Sequence, residues 1–117
     1  IAILPSYREG MPKSLLEAAA CGRPIVTADI PGCNDLVTHN VDGILVPAEN
    51  WMGLADAVGK LAAEPELRKR MGAAARAKVE IEYSETVIVR ETLELYGRAL
   101  SHVDDRFSFL TWQDFQL

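Results

Sequence analysis

The chain has few of the side chains that carry covalent or metal chemistry. It contains two cysteines and two histidines among its 117 residues. Cys21 and Cys33 lack the spacing of a metal site, and we expect reduced thiols rather than a disulfide. No acidic partner for His39 or His102 is identifiable in the sequence, so each is interpreted as a surface or turn histidine rather than a catalytic base. No metal centre is therefore predicted.

Excess positive charge and long apolar runs are also missing. The formal net charge is −5, which argues against binding to the phosphate backbone, so no nucleic-acid partner is expected. No apolar run approaches the roughly 18 residues of a membrane span. No secretory signal opens the sequence, and a soluble cytoplasmic protein is the expectation.

Short apolar runs alternate with a helical pattern in the first half of the chain. Strands are predicted at residues 1–4, 24–28 and 44–46, and the first two are expected to be buried. A helix is predicted with Pro12 at its first position and Gly22 as its stop signal. This order predicts an α/β fold with a Rossmann-like parallel sheet and flanking helices. Three strands are too few for a doubly wound sheet, and the sequence opens on Ile1. We therefore expect a half-domain of a longer protein.

The second half of the chain is predicted to be helical, with Asn50, Glu64-Pro65 and Ser84 marking three helix starts. Residues 1–100 are predicted to form a partial Rossmann-like domain, followed by an aromatic-rich tail at 101–117. That tail is expected to dock on an apolar surface, with a membrane-interface contact as the alternative. Basic residues alternate with glutamates along the second of these helices, which favours a solvated face over contact with anionic lipid. They are Arg68, Lys69, Arg70, Arg76 and Lys78.

Two glutamates eight positions apart flank the start of the first predicted helix. Glu9 precedes the helix, and Glu17 interrupts an otherwise apolar run, where a carboxylate is costly to desolvate without a partner. A helix start presents free N–H groups and the positive end of a dipole, which suit a diphosphate. A carboxylate accepts two hydrogen bonds from a vicinal diol. The pattern predicts a hexose beside Glu9 and a ribose beside Glu17.

Simpler interpretations of both glutamates remain open at this point. Glu9 is also compatible with a loop carboxylate that favours a helix N-terminus. Glu17 is also compatible with a helix-surface residue paired with Lys13 one turn earlier.

Three segments of the sequence resemble the nucleotide-sugar site of retaining family 4 glycosyltransferases. The first is Glu9-x7-Glu17 followed by Ala18-x-Ala20-x-Gly22-x-Pro24-Ile25-Val26. The second is Pro31-Gly32-Cys33-Asn34-Asp35-Leu36-Val37, and the third is Asp42-Gly43-Ile44-Leu45-Val46-Pro47. Bacterial members that build surface polysaccharides, including lipopolysaccharide, look most similar, notably at Tyr7-Arg8-Glu9-Gly10-Met11-Pro12.

The resemblance covers residues 1–100 and implies a partial nucleotide-sugar-binding domain, the C-terminal, donor-binding half of a two-domain GT-B enzyme. By this analogy Glu9 is the catalytic residue and contacts the transferred hexose, while Glu17 binds the ribose. The remaining donor-binding residues implied are Gly10, Met11, Lys13, Ser14 and Leu15. Transfer would retain the anomeric configuration and need no metal or cofactor, in keeping with the lack of an Asp-x-Asp motif. Pro12 and Asp35 depart from the family's usual glycine and glutamate.

The resemblance also implies partners that the chain does not contain. The donor would be a nucleotide sugar, with a UDP-sugar expected, and the acceptor a lipid-linked or saccharide hydroxyl. An N-terminal acceptor domain would precede Ile1, so the chain alone is expected to be inactive. The reaction would occur in the cytoplasm, and a peripheral contact with the inner face of the plasma membrane is compatible with the resemblance. The alternatives are a non-catalytic nucleotide-sugar-binding module and a structural half-domain.

Overall fold

A computed structural model describes residues 1–103, with side chains described up to residue 100. Its elements in chain order are β1 (Ala2–Leu4), α1 (Lys13–Ala20), β2 (Ile25–Ala28), α2 (Cys33–Leu36), β3 (Gly43–Val46), α3 (Trp51–Ala63), α4 (Pro65–Glu82) and α5 (Glu85–Val103). Residues 1–80 form one compact unit, and a second begins at Ile81. The aromatic tail and His102, for which predictions were made above, lie outside the residues whose side chains the structure describes.

The sheet is parallel, with the strand order β1-β2-β3. Ala2 pairs with Ile25, and Ile25 pairs in turn with Gly43. The predicted α/β fold with a parallel sheet and flanking helices is thus confirmed. The prediction that the first strand is buried is wrong, because Ile3 keeps 46% of its surface exposed. The reason is that β1 is an edge strand, whereas the central strand β2 is buried along its whole length.

Helices α3 and α4 supply the main hydrophobic cluster. The buried members of this cluster are Val26, Ile44, Val46, Ala57, Leu61 and Met71, with Leu54, Val58 and Leu67 packed against them. Leu54, Val58 and Leu61 of α3 recur at helical spacing, as do Leu67 and Met71 of α4, which is the pattern of a helix with one buried face. A second set of buried side chains, Leu15 and Ala19 of α1, belongs to the helix that contacts β1 and β2. No described helix has both the length and the apolar character that crossing a membrane requires.

The predicted basic stripe on α4 is only partly a solvated face. Lys69 and Arg76 form exposed ion pairs with Glu66 and Glu80, as the alternating pattern predicted. Lys78 instead lies 3.5 Å from the buried carboxylate of Asp42 and is only 18% exposed. It also donates to the Leu36 carbonyl and the Thr38 hydroxyl. Lys78 therefore anchors α4 to the turn before β3.

Arg68 also departs from the predicted solvated face. Its guanidinium Nη1 donates to the carbonyl oxygens of Leu61 and Ala62 at the end of α3, at 2.6 Å each. The last carbonyls of a helix lack intrahelical donors, so a cation there stabilises the helix end.

A close backbone contact connects α4 to the end of α1. The predicted stop at Gly22 is confirmed: Gly22 has φ +64°. Its N–H bonds to the Ala19 carbonyl, while the N–H of Arg23 reaches the Ala18 carbonyl. This pair of bonds is the Schellman motif, which favours glycine at the left-handed position. Gly72 of α4 is buried against this turn, and a Cβ added to Gly72 would overlap the carbonyl oxygen of Gly22.

We predict that Gly72→Ala destabilises the chain, although alanine is the better helix former. The added Cβ meets rigid backbone, and forcing extra atoms into a packed contact costs about 1–3 kcal/mol. Gly59→Ala in α3 is the matched control, because a Cβ there meets nothing within 4 Å. This control should gain up to about 1 kcal/mol from helix propensity. Urea unfolding followed by circular dichroism measures both, and equal shifts in the same direction would contradict the packing described here.

Candidate functional site

Glu9 lies in the loop between β1 and α1, at the carboxyl end of a parallel strand. Its side chain is partly buried, and its Oε1 atom accepts a hydrogen bond from the Ser6 hydroxyl at 2.7 Å. Ligands of open α/β sheets bind at this edge of the sheet. The structure thus places Glu9 where the sequence predicted it, with the carboxylate oriented by its own loop.

The loop that carries Glu9 packs on the turn after β2. Gly32 has φ +87°, and a Cβ added to it would overlap the carbonyl oxygen of Gly10. The N–H of Gly32 donates to Asp35 Oδ2 at 2.9 Å, which holds this turn at the start of α2. Only glycine fits a left-handed position under such a contact. Two of the three segments that carry the family resemblance therefore meet at this point.

An open concavity of about 280 Å³ lies beside this contact. Its lining residues are Tyr7, Arg8, Glu9, Ile30 and Pro31. Of these, the sequence analysis assigned a site role only to Glu9. The other lining residues could have been predicted from the topology, because the loops after β1 and β2 must lie side by side when the two strands pair in parallel.

The amino end of α1 opens toward the same loop. Helix α1 begins at Lys13, so the prediction that Pro12 is its first helical residue is off by one position. Pro12 is the N-cap, with an extended ψ of 109° and no side-chain capping bond. Its carbonyl accepts hydrogen bonds from the N–H groups of Leu15 and Leu16.

These bonds limit which backbone donors α1 can offer to a ligand. The N–H of Leu15 is already engaged, and its side chain is only 2% exposed. The first N–H groups of a helix have no intrahelical acceptor, so those of Lys13 and Ser14 are the donors available. Both of these residues are exposed, as are Gly10 and Met11. The assignment of Leu15 to the donor remains a prediction.

Glu17 is exposed on the second turn of α1. Its carboxylate therefore bears no desolvation cost in this structure, because the apolar residues Leu15 and Ala19 carry the buried face of the helix. The alternative of a pair with Lys13 is also absent from the ion pairs of the described residues. Glu17 is thus a solvated carboxylate one turn beyond Lys13, accessible to a ligand that lies along α1.

The remaining candidates have structural roles or none. His39 Nδ1 accepts a hydrogen bond from the N–H of Leu45 at 3.0 Å, which confirms a turn histidine. Cys21 and Cys33 are free thiols, and Cys33 is fully buried. Within residues 1–103, no group of three His, Cys, Asp or Glu side chains is arranged to hold a metal ion.

Solved structures with the same fold are glycosyltransferases of the GT-B type. The sucrose-phosphate synthase of Thermosynechococcus elongatus superposes with a TM-score of 0.80 at 28% identity, over 87% of this chain and 25% of that protein. HepE of Anabaena, solved in complex with UDP, has a TM-score of 0.78 at 23% identity, over 82% of this chain and 27% of HepE. The fold therefore defines part of a GT-B glycosyltransferase.

The family follows from the sequence match. Residues 1–78 match the family described as glycosyl transferases group 1, and the chain belongs to this family. Its relatives include the N,N'-diacetylbacillosaminyl-diphospho-undecaprenol alpha-1,3-N-acetylgalactosaminyltransferase of Campylobacter jejuni subsp. jejuni serotype O:2, at 36% identity over 88% of this chain and 27% of that protein. The chain thus spans about a quarter of the length of this relative and of the two structural neighbours.

Proposed function

We propose that this chain binds the nucleotide-sugar donor of a retaining family 4 glycosyltransferase. The observation that carries the proposal is the uncapped amino end of α1, which lies between the carboxylates of Glu9 and Glu17 at the carboxyl edge of the sheet. An anion-binding helix start with a hydroxyl-binding carboxylate on either side matches the chemistry of a sugar, a diphosphate and a ribose.

The diphosphate binds at the start of α1 in this proposal. The free N–H groups of Lys13 and Ser14 donate to its oxygens, and the Lys13 ammonium and Ser14 hydroxyl add further donors. The helix dipole favours the same negative charge. These groups supply the positive potential that a metal ion would otherwise provide, so the proposed transfer needs no metal. Gly10 and Met11 border the sugar from the preceding loop.

Glu17 binds the ribose in this proposal. Its carboxylate follows Lys13 by four residues, which corresponds to a rise of about 6 Å along α1. A nucleotide that lies along the helix from its amino end brings the ribose hydroxyls to this height. Both hydroxyls of a vicinal diol can then donate to the solvated carboxylate.

Glu9 acts on the transferred hexose. Positive charge develops at the anomeric carbon as its bond to the diphosphate breaks, and a nearby carboxylate stabilises that charge. The Ser6 hydrogen bond fixes one carboxylate oxygen, so that the other can face the concavity. The acceptor hydroxyl would bond through its oxygen to the anomeric carbon on the face that the diphosphate leaves, which retains the configuration, and its proton would pass to the departing diphosphate oxygen.

The intact enzyme is proposed to act in bacterial surface-polysaccharide assembly at the inner face of the plasma membrane. The Campylobacter relative is named for a lipid-linked acceptor, which supports a lipid-linked or saccharide hydroxyl as the acceptor here. HepE shares the fold and was solved with UDP, which supports a UDP-sugar as the donor. A separate N-terminal domain is proposed to complete the acceptor site.

We predict that Glu17→Ala weakens UDP binding by about tenfold or more, because it removes hydrogen bonds between a charged group and the ribose. Glu66→Ala is the matched control. It removes another helix-surface carboxylate, which is 86% exposed and, within the described part of the chain, forms an ion pair with Lys69 alone. Isothermal titration with UDP measures both variants. Equal affinities for Glu17→Ala and the unmodified chain would contradict the ribose contact.

We also predict that the chain alone binds UDP without transferring sugar. In this proposal the described sheet contributes one side of the reaction cleft, and the N-terminal domain contributes the other side with the rest of the acceptor site. The assay is the release of UDP from UDP-N-acetylgalactosamine or UDP-glucose in the presence of a polyprenyl-diphosphate saccharide. Acceptor-dependent turnover by this chain would contradict the prediction.

A further inference from the structure

Two aromatic rings form an exposed pair at the carboxyl edge of the sheet. Tyr7 follows β1, and Trp51 is the first residue of α3, directly beyond β3. Their ring centroids lie 6.3 Å apart at an interplanar angle of 78°, an edge-to-face contact. The ring contact spans the end of the middle strand β2. Tyr7, Trp51 and Ala28, the last residue of β2, line one small cavity there.

Both rings leave more than half of their surface open to solvent. Tyr7 is 60% exposed and Trp51 is 56% exposed, so their burial contributes little to the core. Large aromatic side chains that stay exposed together are typical of binding surfaces. The pair is therefore a candidate for recognition rather than for packing.

Polar groups lie next to this pair on the β3–α3 loop. Glu49 has φ +64° although it is not glycine, a conformation that is costly and clusters at functional sites. Its carboxylate is exposed. Asn50 accepts from the N–H of Gly53 through Oδ1 at 2.8 Å, which orients the side chain and leaves its Nδ2 group as a donor. An acceptor and a donor thus border the rings.

The cavity that these residues line decides how a ligand can bind. Its volume is about 10 Å³, which holds one water molecule at most. An inserted base or acyl chain does not fit. A flat ligand that lies on the ring faces does fit, provided that it has one apolar face and a polar rim. A pyranose has this shape, with C–H groups on its face and hydroxyls at its edge.

We propose that Tyr7, Trp51, Glu49 and Asn50 form a carbohydrate subsite for a pyranose unit of the acceptor. One ring face would pack against the C–H face of the sugar, with the second ring, nearly perpendicular to the first, at the edge of the sugar. Glu49 and Asn50 would bond its hydroxyls. This assignment rests on the proposed function. Tyr7 connects the two sites, since it also lines the concavity of Glu9. A sugar on these rings therefore lies beside the place proposed for the transferred hexose.

The test is an NMR titration of the full 117-residue chain with methyl glycosides of N-acetylgalactosamine and glucose. The indole N–H signal of Trp51 reports binding, and Trp112→Phe removes the only other indole signal in the chain. We expect a saturable shift with at least one glycoside. Sorbitol, which carries similar hydroxyls but no ring face, should give none. A shift that sorbitol reproduces, or none with either glycoside, would overturn the subsite.

Variants separate stacking from general effects on the loop. Trp51→Ala and Tyr7→Ala should each weaken glycoside binding by about tenfold or more. Because Trp51→Ala lacks the reporting indole, its binding is followed by the backbone amide signals of the β3–α3 loop. Met52→Ala is the matched control, since Met52 is the next residue and is 80% exposed. It should change nothing, and equal losses for Met52→Ala and Trp51→Ala would overturn the assignment. Trp51→Phe keeps an aromatic face and should retain part of the affinity.

UDP binding distinguishes this inference from the proposed function. Trp51→Ala should bind UDP as the unmodified chain does, because Trp51 lies at the start of α3 and is not among the residues proposed to bind UDP. UDP binding without glycoside binding overturns the subsite alone. Glycoside binding without UDP binding overturns the proposed function, and with it the identification of the bound sugar as an acceptor.

Discussion

The contact between Gly32 and the carbonyl of Gly10 is the constraint on which the proposed site depends. It fixes the loop that holds Glu9 against the turn that starts α2. Without a glycine at this left-handed position the two loops could not approach so closely. Parallel pairing of β1, β2 and β3 places every loop of the proposed site at one edge, and this glycine contact lies beside the concavity that Glu9 lines.

Local electrostatics outweigh net charge in the proposed donor site. The chain is acidic overall, with a formal net charge of −5, yet the proposed ligand carries a diphosphate. Surface charges more than about 10 Å away are largely screened at ordinary salt. The free N–H groups and dipole at the start of α1 act at hydrogen-bond distance. A short helix without a side-chain cap can therefore present an anion site within an acidic protein.

The sequence predicted those features that depend on neighbouring residues. Glycine at the end of α1, the three strands and the loop position of Glu9 all follow from local turn chemistry and hydrophobic periodicity. The position of Pro12 differed by one residue, because N-cap and first helical positions depend on ψ, which the sequence does not reveal. The N–H of Leu15 is engaged for a different reason, since it bonds to the Pro12 carbonyl three residues earlier.

Features that depend on distant residues were not predictable in this way. Lys78 forms its ion pair with Asp42, and Tyr7 meets Trp51, across long stretches of sequence. Periodicity identifies the buried face of a helix, but it does not reveal which loop covers a given side chain. Glu17 illustrates the same limit, since an apolar composition around it did not bury its carboxylate.

The most direct measurement is a crystal structure of the chain with UDP. The account predicts diphosphate oxygens within hydrogen-bond distance of the N–H groups of Lys13 and Ser14, with the ribose hydroxyls on Glu17. A nucleotide that binds elsewhere while the start of α1 carries no phosphate would contradict it.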